Sequence, residues 1–245
     1  MIKNFNLLDK DSMLTTWCVI PSPDTIEIIA QSGFDSVIID QEHGPMNHET
    51  AINMVRAAEL HNCTPLIRVA SHSEENILTA LETGAHGIVV PGVSNAIQAE
   101  TVVQYTKYAP IGIRGSSPYT RSAGYGYRYE PQFNNDNNII CLIVEGKLGV
   151  QNLWSISSTE HIDIIYIGTY DLAQALGHPG QPRHADVLGW LETSAKTLKE
   201  NEVIMGCLAE SAEEISELKN LGVEFIAYKS DCAILADAAI EVVGM

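Results

Sequence analysis

Six ionisable residues in this chain stand at or just past the end of an apolar run, and that placement makes them candidates for chemistry. Asp40 closes S-V-I-I-D and leads into Gln41, Glu42 and His43; Arg68 ends P-L-I-R; Glu145 follows I-I-C-L-I-V; Asp171 lies in Y-I-G-T-Y-D-L. Glu145 and Asp171 follow successive runs and offer hard oxygen ligands, with room for water and substrate oxygens around one divalent ion. Such a pair suits Mg²⁺ or Mn²⁺, with Co²⁺ as a borderline choice. Taken singly, each also fits a helix cap or a solvated acid. His43 suits a general base near neutral pH or a satisfied structural histidine. The Arg68 fork could hold a substrate carboxylate and face a developing enolate oxygen, or form an internal salt bridge to Asp40 or Glu42, or both. Of the eight histidines, the other seven, His178 and His184 among them, fall in loops, helices or beside turns and read as structural or surface groups.

The elements that must position these groups follow from periodicity. Eight short β-branched runs recur: Thr15–Ile20, which contains Trp17, then Ser36–Ile39, Pro65–Val69, Gly87–Val90, Ile139–Val144, Ile164–Ile167, Val203–Leu208 and Phe225–Tyr228. Most are near-continuously apolar, as strands buried on both faces are. Between them, Leu188, Leu191, Ala195 and Leu198, and later Ala212, Ile215, Leu218 and Leu221, recur at three and four, which gives each segment one apolar face. Eight strands alternating with helices predict a single (β/α)8 barrel over residues 1–245, whose strand C-terminal ends converge on one face. The stretch 112–138 has neither period and is rich in Tyr, Arg and Asn, which predicts a ligand or subunit contact rather than a floppy connection.

Charge and cysteines narrow the function classes. With 14 Lys+Arg against 31 Asp+Glu, a net −17, and no basic cluster, the chain is a poor partner for nucleic acid or an anionic membrane surface. Five cysteines without C-x-x-C spacing read as reduced and mostly buried. The N-terminal residues lack an apolar run of signal-peptide length, and no stretch is long enough to span a bilayer, so a cytoplasmic protein is expected.

In register with these strand ends, I-I-D-Q-E-H-G-P, P-L-I-R, L-E-T-G-A-H-G-I-V-V-P, G-I-R-G, L-I-V-E-G and Y-I-G-T-Y-D-L resemble the HpcH/HpaI aldolase family from about Trp17 onward. The resemblance implies a class II, metal-dependent pyruvate aldolase that cleaves or forms 4-hydroxy-2-oxo acids, similar to 4-hydroxy-2-oxoheptanedioate aldolase. It implies metal ligation by Glu145 and Asp171, and an enolate of bound pyruvate stabilised by the ion and Arg68. His43 matches the base, acting through a metal-bound water and oriented by an acid that here is Glu82, one methylene longer than the family Asp. Backbone amides around Gly168, Thr169, Tyr170 and Asp171 would hold the pyruvate carboxylate, and Trp17 would line the pocket. Arg121, with Arg114 and Arg128 behind it, is a candidate for a second substrate carboxylate or for bridging subunits. The family also implies a keto acid and an aldehyde or ketone as small-molecule partners, and a hexamer built as a trimer of dimers that exchange their last helix.

The chain departs from the family pattern at Ile143, Gly146 and Thr169, where a polar residue, Thr and Pro are usual. Those departures keep open a citrate-synthase-like condensation of an oxaloacetate- or pyruvate-type donor. A barrel that binds a keto acid without turnover, and a Schiff base on Lys229 or Lys147, are the further alternatives.

Overall fold

A computed structural model of the chain describes residues 12–127, 135 and 138–244. Eight parallel strands close a barrel in chain order: β1 (Met13–Cys18), β2 (Ser36–Asp40), β3 (Thr64–Arg68), β4 (Gly87–Val90), β5 (Ile139–Val144), β6 (Ile164–Ile167), β7 (Ile204–Ala209) and β8 (Phe225–Ser230). The outer layer comprises α1 (Pro23–Gln31), α2 (His48–Leu60), α3 (Glu74–Glu82), α4 (Ala96–Thr106), α5 (Lys147–Gln151), α6 (Leu153–Ser157), α7 (Thr169–Ala175), α8 (Ala185–Glu200), α9 (Ala212–Leu221) and α10 (Asp231–Val243). This is the (β/α)8 TIM barrel that the alternating pattern predicts.

The strands read as unbroken apolar runs because both of their faces are covered. In β5 all six residues are buried, and alternation splits them between two cores. Cys141 and Ile143 join Ile38, Leu66, Val89 and Tyr166 inside the barrel, whereas Leu142 and Val144 pack with Ile39, Ile67 and Ile167 toward the helices. Helix starts are set by capping: Ser22, Asn47, Ser73, Asn95, Ser211 and Ser230 each accept a hydrogen bond from an amide in the first turn.

Strand boundaries differ from the sequence expectation by at most two residues, and the end of β1 has a specific cause. The run Thr15–Ile20 predicts a strand through Ile20, but β1 stops at Cys18. The amides of Val19 and Ile20 instead donate to the two carboxylate oxygens of Asp231, each at 3.0 Å. Asp231 opens α10, so this one side chain fastens the last helix to the end of the first strand across the β8–β1 seam. Four cysteines are buried thiols and Cys232 is exposed, as the reduced reading expects. Among the described residues no helix is long and apolar enough to cross a membrane.

Candidate active site

The strand C-terminal ends gather Asp40, Arg68, Glu145 and Asp171 on one rim. The anchor is Asp40, 1% exposed. Its Oδ1 accepts from Arg68 Nε at 2.8 Å and from the amides of Glu42 and His43 at 3.0 and 3.1 Å, while Oδ2 pairs with Arg68 Nη2. Arg68 Nη1 lies 3.0 Å from Glu42 Oε2, and its guanidinium stacks 4.4 Å from the Trp17 ring centre. Three of the five guanidinium N–H groups therefore face carboxylates and two remain for a substrate oxygen. Gly44 is required where it stands, because a Cβ there would come 2.2 Å from the Asp40 carbonyl oxygen. The tight turn it permits carries His43 to the rim, 69% exposed and 3.8 Å from Glu42.

Glu145 follows β5 and is half-buried, accepting the Gly92 amide at 2.8 Å. Burial, then the charge of Asp171, raises its carboxyl from 4.5 to about 7; the Gly92 amide and Arg68 pull the other way, while Glu42 adds to the rise. Gly168 lets the end of β6 approach, since a Cβ there would sit 2.7 Å from Glu145 Cβ and 3.0 Å from its Oε2. Asp171 falls in the first turn of α7, whose cap residue is Gly168. The amides of Thr169, Tyr170 and Asp171 have no acceptor within that helix. The Tyr170 hydroxyl turns outward to Glu210, donating at 2.7 Å. Three acids facing one arginine leave an excess of negative charge, and this donor set fits a divalent cation.

Other expected residues lie elsewhere. Glu82, as the last residue of α3, sits on the opposite rim, where it accepts from Ser122 Oγ at 3.1 Å and pairs with Arg114 at 3.3 Å. Within one chain it does not orient His43, because a helix after a strand runs back toward the strand N-terminal ends. Arg121 is on that same opposite rim: it pairs with Glu59, donates to the Thr83 carbonyl at 2.9 Å and lies over Gly84. Arg114 is buried under Tyr108. Both arginines fix the described part of the 112–138 stretch to this chain's own barrel, and Arg128 lies outside the described residues. Lys229 Nζ pairs with Asp237 of α10 rather than with the rim acids, and Lys147 is an exposed helix start, so neither lysine is placed for a Schiff base.

Two participants escape the search for charged residues at strand ends. Gly92 supplies the hydrogen bond to Glu145 and takes φ +69°; its signal in the sequence is the Pro91-Gly92 pair directly after β4. Tyr166 is buried inside the barrel, where its ring meets Trp17 edge-on at 5.4 Å and its oxygen accepts from Trp17 Nε1 at 3.3 Å. Burial holds that phenol well above its ordinary value, so it stays a neutral hydroxyl. Gly206 opposite makes room, because a Cβ there would come 2.7 Å from the Tyr166 ring. Tyr166 thereby holds the indole on which Arg68 stacks.

The chain belongs to the HpcH/HpaI aldolase/citrate lyase family, whose description it matches over residues 14–238. It is 33% identical over 227 residues to the pyruvate aldolase of Rhizobium etli, covering 92% of this chain and 89% of that one. It is 30% identical over 225 residues to a 4-hydroxy-2-oxo-heptane-1,7-dioate aldolase of Escherichia coli, covering 91% and 86%. The crystal structure of the citrate synthase SbnG superposes with a TM-score of 0.88 at 28% identity, over 99% of this chain and 96% of that one.

Replacing Tyr166 by Phe removes the acceptor for Trp17 Nε1 inside the barrel and is expected to lower stability by about 1 kcal/mol. Urea unfolding measures the loss, and an altered Trp17 emission in the folded state reports the indole; an unchanged midpoint and spectrum would mean the bond is not made.

Proposed function

We propose that the protein is a divalent-metal-dependent aldolase that cleaves or forms 4-hydroxy-2-oxo acids, with pyruvate as the keto-acid half. The observation that supports this most is the pairing of Glu145 with Asp171 on successive strand ends, beside Glu42 and a single clamped arginine. A Mg²⁺, Mn²⁺ or Co²⁺ ion held by Glu145 and Asp171 would act as a Lewis acid toward the keto oxygen.

The chain's own groups supply the rest. The Gly168 amide is taken by the Val144 carbonyl at 3.1 Å, so the first-turn amides of Thr169, Tyr170 and Asp171 are the ones suited to the pyruvate carboxylate, with Trp17 as the pocket wall. In cleavage, His43 takes the proton of the C4 hydroxyl, the C3–C4 bond breaks, the carbonyl product leaves, and the electron pair remains on the keto-acid half as an enolate. The two uncommitted N–H groups of Arg68 face that developing charge, and return of the proton held by His43 to C3 completes pyruvate and restores the base. A citrate-synthase-like condensation is the second reading, favoured by the SbnG likeness together with Ile143, Gly146 and Thr169. A non-catalytic keto-acid binder would have no use for the exposed base.

Assembly belongs to the same proposal. Only Asp231 of α10 is buried, while Leu235 is 64% and Val243 87% exposed. Ile113, Tyr119 and Tyr127 add exposed apolar surface on the long loop. Apolar surface of this extent on two segments is what a homo-oligomer covers, and we assign it to a hexamer, a trimer of dimers with exchanged last helices. Sedimentation equilibrium is expected to give six chains per particle; a monomer would overturn this assignment.

Two experiments test the chemistry. The chelator-stripped protein in D₂O is expected to exchange pyruvate methyl protons only after Mg²⁺, Mn²⁺ or Co²⁺ is restored, and His43→Ala to slow that exchange by at least about 100-fold. Exchange without metal, or at full rate in the variant, counts against the reading. The second follows from Glu145: its raised value means that the metal-free fold keeps a proton that the unfolded chain loses between about 4.5 and 7. This group's contribution to stability therefore declines as pH rises through that window, and a cation must displace the proton to bind. Calorimetric titration with Mn²⁺ is expected to show affinity rising by up to about tenfold per pH unit below 7 and levelling above it. A flat profile would remove Glu145 from the ligand set.

A further inference from the structure

Away from the acidic rim, two imidazoles and a carboxylate meet where α7 passes into α8. His178 and His184 lie on the connecting loop, and Asp186 is the second residue of α8. The two rings stack, with centres 3.4 Å apart and planes 16° from parallel. Asp186 Oδ2 lies 2.8 Å from His178 Nε2 and 3.6 Å from His184 Nδ1. One ligand atom from each of the three residues falls within 4.8 Å of the other two.

The loop is already shaped for this meeting. The amide of His178 donates to the Ala173 carbonyl at 2.8 Å, that of Gln181 to His178 at 3.1 Å, and that of His184 to Gln181 at 3.0 Å. Gly177 and Gly180 take the left-handed turns at φ +89° and +72°. The adjacent cation, Arg183, is engaged by Glu214 at 3.3 Å and Glu217 at 2.5 Å, so it is drawn away from the cluster.

His178 pairs with Asp186, and His184 caps α8 through Nδ1 while its ring stacks on that of His178. Neutral imidazole is the form that ligates metal, and each ring offers one nitrogen toward the Asp186 carboxylate. Four-coordinate zinc, with donors at about 2.0–2.1 Å, places neighbouring donor atoms about 3.3 Å apart. The measured 2.8 and 3.6 Å bracket that value for the two Asp186 edges, and the edge between the two ring nitrogens lies within 4.8 Å. Two contacts must yield: the stack, because near-parallel rings 3.4 Å apart cannot both aim an in-plane lone pair at one ion, so one ring has to turn, and the Asp186 amide donating to His184 Nδ1 at 3.2 Å, a long bond at a solvent-exposed helix start.

We propose that His178, His184 and Asp186 form a three-ligand site for a borderline divalent ion, Zn²⁺ foremost, with water completing the coordination. Two nitrogens and one oxygen select zinc-like ions over Mg²⁺, in contrast to the all-oxygen pair at Glu145 and Asp171. The ion staples the loop to the start of α8 and so braces the far end of α7, the helix that carries Asp171.

The test uses full-length chain carrying Glu145→Gln and Asp171→Asn, which removes the acidic pair and makes the count independent of the proposed function. After chelation and titration with Zn²⁺ alone, it is expected to hold one zinc per chain. Adding His178→Gln, which spares the His184 cap, is expected to weaken that binding by at least about tenfold. Asp186→Asn gives the same result independently if the His178 variant does not fold. With Co²⁺ as the probe, ring protons of both histidines should show paramagnetic shifts. Absence of zinc binding in the parent, or binding unchanged in a folded His178→Gln or Asp186→Asn chain, overturns the site.

Discussion

The arrangement at the strand ends depends on a buried carboxylate clasping a guanidinium. Asp40 uses one oxygen for Arg68 Nε and for two backbone amides, and the other for Arg68 Nη2. A single side chain thus sets the direction of the arginine on β3 and the path of the loop after β2 that presents His43. Such a pair is costly to desolvate and stabilises only when its hydrogen-bonding capacity is filled. Here the amides of Glu42 and His43, the Glu42 carboxylate and the Trp17 face supply the missing partners. The geometry of the proposed base and of the oxyanion partner therefore shares one origin.

Around that clamp the barrel keeps negative charge concentrated. Glu145, Asp171 and Glu42 share the field of one arginine whose charge is already largely matched by Asp40. The result is a carboxyl raised to about 7 in a region where the backbone of Gly168 passes close enough to exclude any Cβ. Packing and electrostatics meet at this carboxyl: Gly168 lets the end of β6 crowd Glu145 and burial raises the cost of its charge, which the Gly92 amide partly offsets.

Most of the fold and the core of the site were legible in the sequence because they rest on local signals. Apolar runs and their polar ends located all eight strands to within about two residues and placed Asp40, Arg68, Glu145 and Asp171 on one rim. The Arg68–Asp40 salt bridge was foreseeable from parallel registration of neighbouring strand ends. What failed to transfer was three-dimensional. Glu82 matches a family position in the chain, yet helix direction carries it to the opposite rim, and the loop candidate Arg121 is held there by Glu59 and the Thr83 carbonyl. Tyr166 resembles any core aromatic until Gly206 and Trp17 are seen beside it. The end of β1 was set by Asp231, more than 200 residues away in sequence.

That last contact bears on how the molecule is made. β1 is hydrogen-bonded on one side to β2 and on the other to β8, and its final amides wait for Asp231. During synthesis from the N-terminus, the first strand emerges with one edge that has no mate until residues 225–231 have left the ribosome. Throughout that interval it is an exposed apolar edge of the kind that recruits foreign strands. Its shortness, six residues, limits that exposure, and the growing chain depends on timely release or on chaperone cover until the two ends meet.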